Sequence, residues 1–178
     1  MSIPNFLSLF RIVLVPITVI FLIDGSFLTA LAAFSLAGIT DGLDGFLARV
    51  LNQQTILGSY MDPIADKALL TSCFVTLSIL GIIPPWVTVI VVSRDFIIVF
   101  GISILFMVSV PFEMRPAFVG KITTTVQLIT IFLALVFKSL GGNGHPFYMY
   151  LLYWLTAVLT IISGFHYIVR GIRAINRA

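Results

Sequence analysis

Charged residues are what this sequence has least of. Only 10% of its 178 residues are charged and 60% are hydrophobic, while the single cysteine, Cys73, excludes an intramolecular disulfide. It also lacks low-complexity segments and a convincing internal repeat, which argues against an inverted-repeat transporter. So little charge excludes an ordinary soluble domain of this size and is typical of a bundle of membrane-spanning helices.

Long apolar stretches separated by turn residues are what the sequence does contain. A bilayer core about 30 Å thick needs about 20 helical residues per span, so the length allows about six spans. We therefore predict an all-α integral membrane bundle of six transmembrane helices that forms one domain over residues 1–178. The predicted spans are Phe6–Ile23, Phe27–Leu47, Ile64–Ile83, Trp86–Val108, Phe118–Phe137 and Phe147–Val169.

The ten basic residues are scattered along the chain and flank the apolar stretches, so they indicate topology and not a nucleic-acid partner. If the N-terminus is cytoplasmic, six spans place the loops near Arg49 and Arg115 on the cytoplasmic side. The tail with Arg170, Arg173 and Arg177 falls on that side as well. The positive-inside bias therefore predicts that both termini are cytoplasmic.

Four of the seven acidic residues lie between positions 41 and 66. Asp41 and Asp44 are three residues apart, and Asp62 and Asp66 are four apart, so each pair shares one face of a helix. A short loop joins the two helices and makes them neighbours. We expect the four carboxylates to converge in the cytoplasmic leaflet, short of the midplane.

A carboxylate inside the membrane costs about 2.5 kcal/mol or more, and four together also repel one another. Arg49 and Lys67 cannot neutralise four negative charges, whereas one or two divalent cations can. Oxygen ligands favour Mg²⁺ or Mn²⁺. The pattern therefore predicts a metal site at the four aspartates, and two metals would provide the clamp that phosphoryl transfer uses.

Small residues accompany the aspartates at Gly42, Gly45, Ala48 and Gly58. Taken alone, they favour close helix packing in a membrane. Beside the aspartates and Arg49, they favour a second interpretation, in which a bulky phosphate ligand approaches the helix backbone where side chains are missing.

These positions together resemble the signature of the CDP-alcohol phosphatidyltransferase family, whose fixed residues all match Asp41-x2-Asp44-Gly45-x2-Ala48-Arg49-x8-Gly58-x3-Asp62-x3-Asp66. The segment from Ile3 to Arg11 is also similar to the one that precedes the first helix in bacterial and mitochondrial members. The six-helix pattern resembles the family's fold over essentially the whole chain.

The resemblance implies transfer of a phosphatidyl group from CDP-diacylglycerol to an alcohol with release of CMP. It implies two metals, one held by Asp41, Asp44 and Asp62 and the other by Asp41, Asp62 and Asp66, with Asp66 also the general base. It further implies a homodimer in the bacterial inner membrane with its active site toward the cytoplasm. Residues expected at the CDP-diacylglycerol site are Asn5, Gly45, Ala48, Arg49, Thr55 and Gly58.

The alcohol acceptor is left open between phosphatidylglycerol and glycerol 3-phosphate. The segments around Arg94 and Lys121 look most similar to the cardiolipin synthases of the family, whose acceptor is phosphatidylglycerol. Synthases that use glycerol 3-phosphate tend to have a second lysine where this chain has Thr123. A dianionic phosphate favours more than one nearby cation.

Arg94, Lys121 and Arg115 are the candidate acceptor-binding residues. Arg94 and Asp95 are adjacent on a helix and point about 100° apart, so we expect them not to pair with each other. An interhelix ion pair is an alternative role for Arg94, and snorkelling to lipid phosphate is the alternative for Lys121 and Arg115.

A cation channel or transporter with intramembrane carboxylates is the rival from another functional class. It predicts acidic residues spread over several helices near the midplane. The clustering of four aspartates toward one leaflet, beside Arg49 and the glycines, favours the enzyme.

Overall fold

The computed structural model describes residues 3–50, 56–107, 118–142, 144 and 146–175. Side chains are described at 9–42, 64–101, 103, 118–142, 144 and 146–173. All regular structure within these ranges is helical, which confirms the all-α prediction. The six helices are α1 Ile3–Ile23, α2 Phe27–Val50, α3 Ile56–Ile79, α4 Pro85–Met107, α5 Phe118–Ser139 and α6 Phe147–Ile175.

Most helix boundaries lie within three residues of the predicted spans. The exceptions are α6, which ends at Ile175 instead of Val169, and α3, which begins at Ile56 instead of Ile64 and ends at Ile79 instead of Ile83. Gly81 explains the early end, because its positive φ of 69° leaves the right-handed helical region. The N–H of Ile82 then donates to the carbonyl of Leu77 at 2.8 Å. This Schellman pattern recurs at Gly25 after α1 and Gly141 after α5.

Proline sets the start of two helices. Pro85 is the first residue of α4, where a missing N–H costs nothing, and Pro146 directly precedes α6. The N–H of Met149 donates to the carbonyl of Pro146 at 2.9 Å. The turn residues that separate the predicted spans, such as Gly25, Pro85 and Gly141, therefore lie at the ends of helices.

Two compact units make up the chain. The first unit is 1–82 with 131–144, and the second is 83–130 with 145–178. In the first unit, α1 packs against α2 and α3. In the second unit, α4 packs against α6.

Each helix of the first unit buries one stripe of residues with helical spacing. On α1 the stripe is Arg11, Leu14, Thr18 and Leu22, which are all buried. On α2 it includes three small residues, Ala30, Ala33 and Ala37, which permit close helix approach. On α3 it includes Leu70, Cys73 and Leu77. The face of each helix that carries its stripe therefore lies in the interior of this unit.

Polar hydrogen bonds join α5 to α6 in the second unit. The hydroxyls of Thr130 and Thr156 lie 2.7 Å apart, and the Gln127 amide donates to the Thr160 hydroxyl at 3.2 Å. All four side chains are buried. Hydrogen bonds of this kind hold helices together where the surroundings are apolar.

The described part of the chain buries polar as well as apolar residues and exposes many large apolar side chains. Threonines, Gln127, Ser163 and two arginines are buried, while large apolar residues such as Phe147, Phe165 and Ile79 are mostly exposed. Such an apolar exterior suits contact with lipid.

Two helical segments, Phe118–Ser139 and Phe147–Arg173, are long and apolar enough to cross a membrane among the residues described. Leu9–Ile23 and Phe27–Gly42 are shorter apolar stretches. These findings agree with a membrane protein, while the six-span topology stays a prediction.

Candidate active site

Three helices of the first unit meet at one nitrogen atom. Nη1 of Arg11 on α1 lies 2.8 Å from Oδ1 of Asp41 on α2. The same nitrogen donates to Oδ1 of Asp66 on α3 at 2.7 Å. The predicted convergence of the two aspartate-bearing helices is therefore present for the pair whose side chains are described.

The buried stripes explain why these three side chains meet. Arg11 begins the stripe of α1, Asp41 follows Ala37 by one helical turn, and Asp66 precedes Leu70 by one turn. Packing the apolar parts of the stripes against one another brings their charged ends together. Hydrophobic contacts therefore position the ionic cluster.

Burial differs sharply within this cluster. The Arg11 side chain is 0% exposed, whereas the side chains of Asp41 and Asp66 are 46% and 41% exposed. The guanidinium is thus covered by protein, and the carboxylates remain accessible from the other side. In the described contacts of this cluster, two carboxylates share one guanidinium and keep an accessible side at which a further cation can bind.

The other predicted ligands follow the same helical spacing. The backbones of Asp44 on α2 and Asp62 on α3 are helical, while their side chains lie outside the described residues. With only Asp41 and Asp66 described of the four, the described side chains include no group of three that could hold a metal. Asp62 and Asp66 lie well inside α3, because that helix starts earlier than predicted.

Most of the predicted CDP-diacylglycerol contacts also lie outside the described side chains. Asn5, Gly45, Ala48, Arg49 and Gly58 belong to helical backbone, whereas the predicted contact Thr55 and the predicted acceptor contact Arg115 lie outside the described residues altogether. Beside Asp41, a Cβ added at Gly42 meets no described atom within 4 Å. Among the described side chains, none covers the helix surface next to Asp41.

Arg11 is the functional residue that the sequence interpretation missed as a member of this site. Two signals in the sequence could have identified it. It is a lone cation in an apolar stretch, and it continues the helical spacing of Leu14, Thr18 and Leu22. A buried arginine requires an anionic partner, and aspartates are available at the same end of neighbouring helices.

Arg94 has a different environment, in the second unit. Its Nη1 donates to Asp95 Oδ1 at 2.8 Å and its Nη2 donates to Ser163 Oγ on α6 at 2.7 Å. The guanidinium carbon also lies 5.7 Å from the centre of the Tyr167 ring. The expectation that Arg94 and Asp95 do not pair was wrong, because the long arginine side chain can curl back to its neighbour. Its role in acceptor binding stays a prediction.

Two glycines make room for Arg94. A Cβ added at Gly164 on α6 would lie 3.4 Å from Arg94 Cγ, and one at Gly120 on α5 would lie 3.4 Å from Arg94 Nη2. Gly120 precedes Lys121, which is exposed in the first turns of α5. The arginine and the predicted acceptor-binding end of α5 are therefore neighbours within the second unit.

A family profile described as CDP-alcohol phosphatidyltransferase matches residues 1–162. The chain belongs to this family. Its match includes all four aspartates, Arg11 and the Arg94 segment.

Curated relatives of this chain carry two kinds of name. Human "Cardiolipin synthase (CMP-forming)" is 34% identical over 93% of this chain and 60% of its own length. A "Probable phosphatidylglycerophosphate synthase" of Mycobacterium tuberculosis (strain ATCC 25618 / H37Rv) is 35% identical over 98% of the chain and 84% of its own length. The Bacillus subtilis "CDP-diacylglycerol--glycerol-3-phosphate 3-phosphatidyltransferase" is 28% identical over 98% of the chain and 97% of its own length. The chain thus spans less than two thirds of the human relative.

Gly120, the glycine beside Arg94 on α5, gives a testable consequence for stability. Gly120→Leu is expected to lower the free energy of unfolding by about 1–3 kcal/mol, because a side chain there must displace Arg94 and Tyr167. Gly101→Leu is the matched control on α4, since its Cβ meets no described atom within 4 Å. Unfolding by denaturant in detergent micelles compares the two, and equal losses would contradict the packing shown.

Proposed function

We propose that this protein transfers the phosphatidyl group of CDP-diacylglycerol to an alcohol and releases CMP, in the synthesis of phosphatidylglycerol or cardiolipin. The observation that carries the proposal is the meeting of Asp41 and Asp66 at one nitrogen, since both belong to the family signature. The names of the relatives support it, since they specify cardiolipin synthesis with CMP formation, phosphatidylglycerophosphate synthesis and phosphatidyl transfer from CDP-diacylglycerol to glycerol 3-phosphate.

The aspartates fit a metal site by their chemistry. Oxygens from two helices converge on a single positive group, and both carboxylates are about half exposed. Such hard oxygen donors suit Mg²⁺ or Mn²⁺, and helical spacing adds Asp44 and Asp62 to the set. We propose that these four residues hold two divalent ions, which when bound supply charge that offsets the pyrophosphate and the negative charge developing on CMP.

In the proposed reaction, the acceptor hydroxyl oxygen forms a bond to the phosphorus that carries the diacylglycerol. The bond from that phosphorus to the bridging oxygen breaks, and CMP leaves with the bridging oxygen. Asp66 takes the proton of the hydroxyl. Its 2.7 Å contact with Arg11 Nη1 fixes the position of the carboxylate that would accept this proton.

The cytidine diphosphate part is assigned to residues of the signature and the N-terminal segment. Arg49 can fork onto phosphate oxygens, and Gly45, Ala48 and Gly58 leave the helix backbone accessible. Thr55 and Asn5 complete this proposed set.

Phosphatidylglycerol is the acceptor that we favour, and glycerol 3-phosphate is the second candidate because two of the relatives above are named for it or its product. Nη1 and Nη2 of Arg94 both donate within the second unit. We propose Arg94, Lys121 and Arg115 as the acceptor contacts. Thr123, which stands where synthases that use glycerol 3-phosphate tend to have a second lysine, favours the single charge of a phosphodiester over a dianionic phosphate.

We also propose a multi-pass protein of the bacterial inner membrane. Six spans follow from the apolar stretches, and cytoplasmic termini with aspartates in the cytoplasmic leaflet follow from the distribution of basic residues. A homodimer follows from the family resemblance. The apolar exterior of the described helices supports the membrane location.

The test is a competition assay with the purified protein, CDP-diacylglycerol, Mn²⁺ or Mg²⁺, and equal amounts of phosphatidylglycerol and glycerol 3-phosphate. We expect CMP release with radiolabel entering cardiolipin. Label in phosphatidylglycerophosphate alone would replace the favoured acceptor with the second candidate. Absence of CMP release with every alcohol would reject the enzyme and reopen the channel hypothesis.

A further inference from the structure

The Arg11 guanidinium lies where the two aspartates need positive charge. A single nitrogen, Nη1, contacts one oxygen of Asp41 and one oxygen of Asp66 at 2.8 and 2.7 Å. The family signature includes both aspartates as ligands but does not include Arg11. The arginine therefore needs its own explanation.

Electrostatics gives the first part of that explanation. Two ionised carboxylates that contact the same nitrogen atom lie close enough to repel each other, and the repulsion is strong where protein or lipid excludes water. Arg11 is fully buried and contacts both, so it neutralises part of the charge and ties α1 to α2 and α3. In the absence of metal, this contact keeps the two oxygens directed to one point.

The second part of the explanation is competition between Arg11 and a divalent cation for the same carboxylate oxygens. A divalent cation that binds Asp41 and Asp66 uses the oxygens that already accept from Arg11, and its charge is repelled by the guanidinium. Arginine remains charged at any physiological pH and cannot withdraw by losing a proton. Arg11 therefore opposes metal binding while it preserves the arrangement that the metal needs.

We propose that Arg11 is a positioning residue that serves as a resident counter-cation for Asp41 and Asp66. It holds the two carboxylates together in the metal-free protein and weakens the affinity of the site for divalent metal. This inference rests on the proposed function, in which the aspartates hold Mg²⁺ or Mn²⁺. It predicts opposite effects of removing the charge on metal-free stability and on metal affinity.

Arg11→Gln tests the inference because it keeps hydrogen-bond donors and removes the positive charge. We expect its Kd for Mn²⁺ to tighten by about tenfold or more, since one repelling charge next to the site is lost. In EDTA its Tm should fall below that of the wild type, because the carboxylates then repel each other. Added Mn²⁺ should raise its Tm by more than it raises the wild-type Tm.

The measurement is a titration of the full chain in detergent micelles with Mn²⁺ alone, following free Mn²⁺ by its paramagnetic resonance signal. Arg11→Lys retains the charge and should bind Mn²⁺ within about threefold of the wild type. Arg94→Met is the matched control, a buried arginine beside a carboxylate in the other unit. It should lower the Tm and leave the Kd for Mn²⁺ unchanged.

The outcomes separate this inference from the one on which it rests. Wild-type protein that binds no Mn²⁺ would overturn both. Mn²⁺ binding by the wild type with an equal or weaker affinity in Arg11→Gln would overturn the counter-cation alone and leave a structural anchor. If Arg11→Gln folds only with Mn²⁺ present, the counter-cation is supported. If Arg11→Gln folds neither in EDTA nor with Mn²⁺, the Kd of Arg11→Lys for Mn²⁺ is the test. A Kd tenfold tighter than that of the wild type would overturn the inference, because this variant retains the positive charge.

Discussion

Asp66→Asn is expected to lower the rate of CMP release by about 10²–10⁴-fold, the range typical for loss of a general base. The asparagine oxygen can still accept from Arg11 Nη1, which Asp66 contacts at 2.7 Å, so the helices should stay together. What the amide cannot do is take the acceptor proton or provide an anionic oxygen to a metal. Initial rates of CMP release from CDP-diacylglycerol in mixed micelles measure the effect.

Asp24→Asn is the matched control for that experiment. Asp24 is exposed in the turn between α1 and α2, so the same change of chemistry there should leave the rate within about twofold of the wild type. Thermal unfolding of both variants checks that they fold. Turnover by Asp66→Asn equal to that of Asp24→Asn would rule out Asp66 as the base.

Arg94→Met is expected to lower the free energy of unfolding by about 3–5 kcal/mol. It removes one partner of a buried ion pair and leaves Asp95 without the 2.8 Å contact to Nη1, and it also removes the hydrogen bond to Ser163 on α6. Methionine retains much of the aliphatic bulk, so most of the loss is electrostatic. Denaturant unfolding in micelles measures the difference.

Lys138→Met is the control for Arg94→Met. Lys138 is only half-buried near the end of α5 and makes one long contact, 3.4 Å to the carbonyl of Gly142, so its loss should change stability by about 0.5 kcal/mol or less. Equal stability of the two variants, with a raised KM for the acceptor in Arg94→Met, would contradict the structural role. That result would favour Arg94 in the acceptor pocket.

Local patterns explain why the helices were predictable. Apolar length, Gly25 and Gly141 at helix ends, and proline at helix starts are all properties of short segments, and the structure has its helices there. Gly81 is the same kind of signal at the end of α3, where the prediction ran past it to Ile83. The start of α3 was placed too late because Asp62 interrupts the apolar pattern in the first part of this helix. When the first part of a helix is polar, its hydropathy is too low for that part to be predicted as membrane-spanning.

Side-chain pairing was harder to predict, as the two buried arginines show. Spacing alone placed Asp41 and Asp66 on neighbouring faces, but their shared partner Arg11 comes from a helix far away in sequence. Arg94 pairs with its immediate neighbour because its side chain is long enough to override the angle between adjacent helix positions. Such choices depend on packing between helices, which a single sequence does not contain.

The most direct test of the metal-dependent phosphatidyl transfer is CMP release from CDP-diacylglycerol by purified protein with Mn²⁺ and with EDTA. We predict release with Mn²⁺ and an alcohol acceptor, and a loss of at least about 10²-fold when EDTA removes the metal. Asp41→Asn should lower release with Mn²⁺ as well, because that carboxylate is one of the two that converge in the structure. CMP release that EDTA leaves undiminished would contradict the assignment of these aspartates to a metal site.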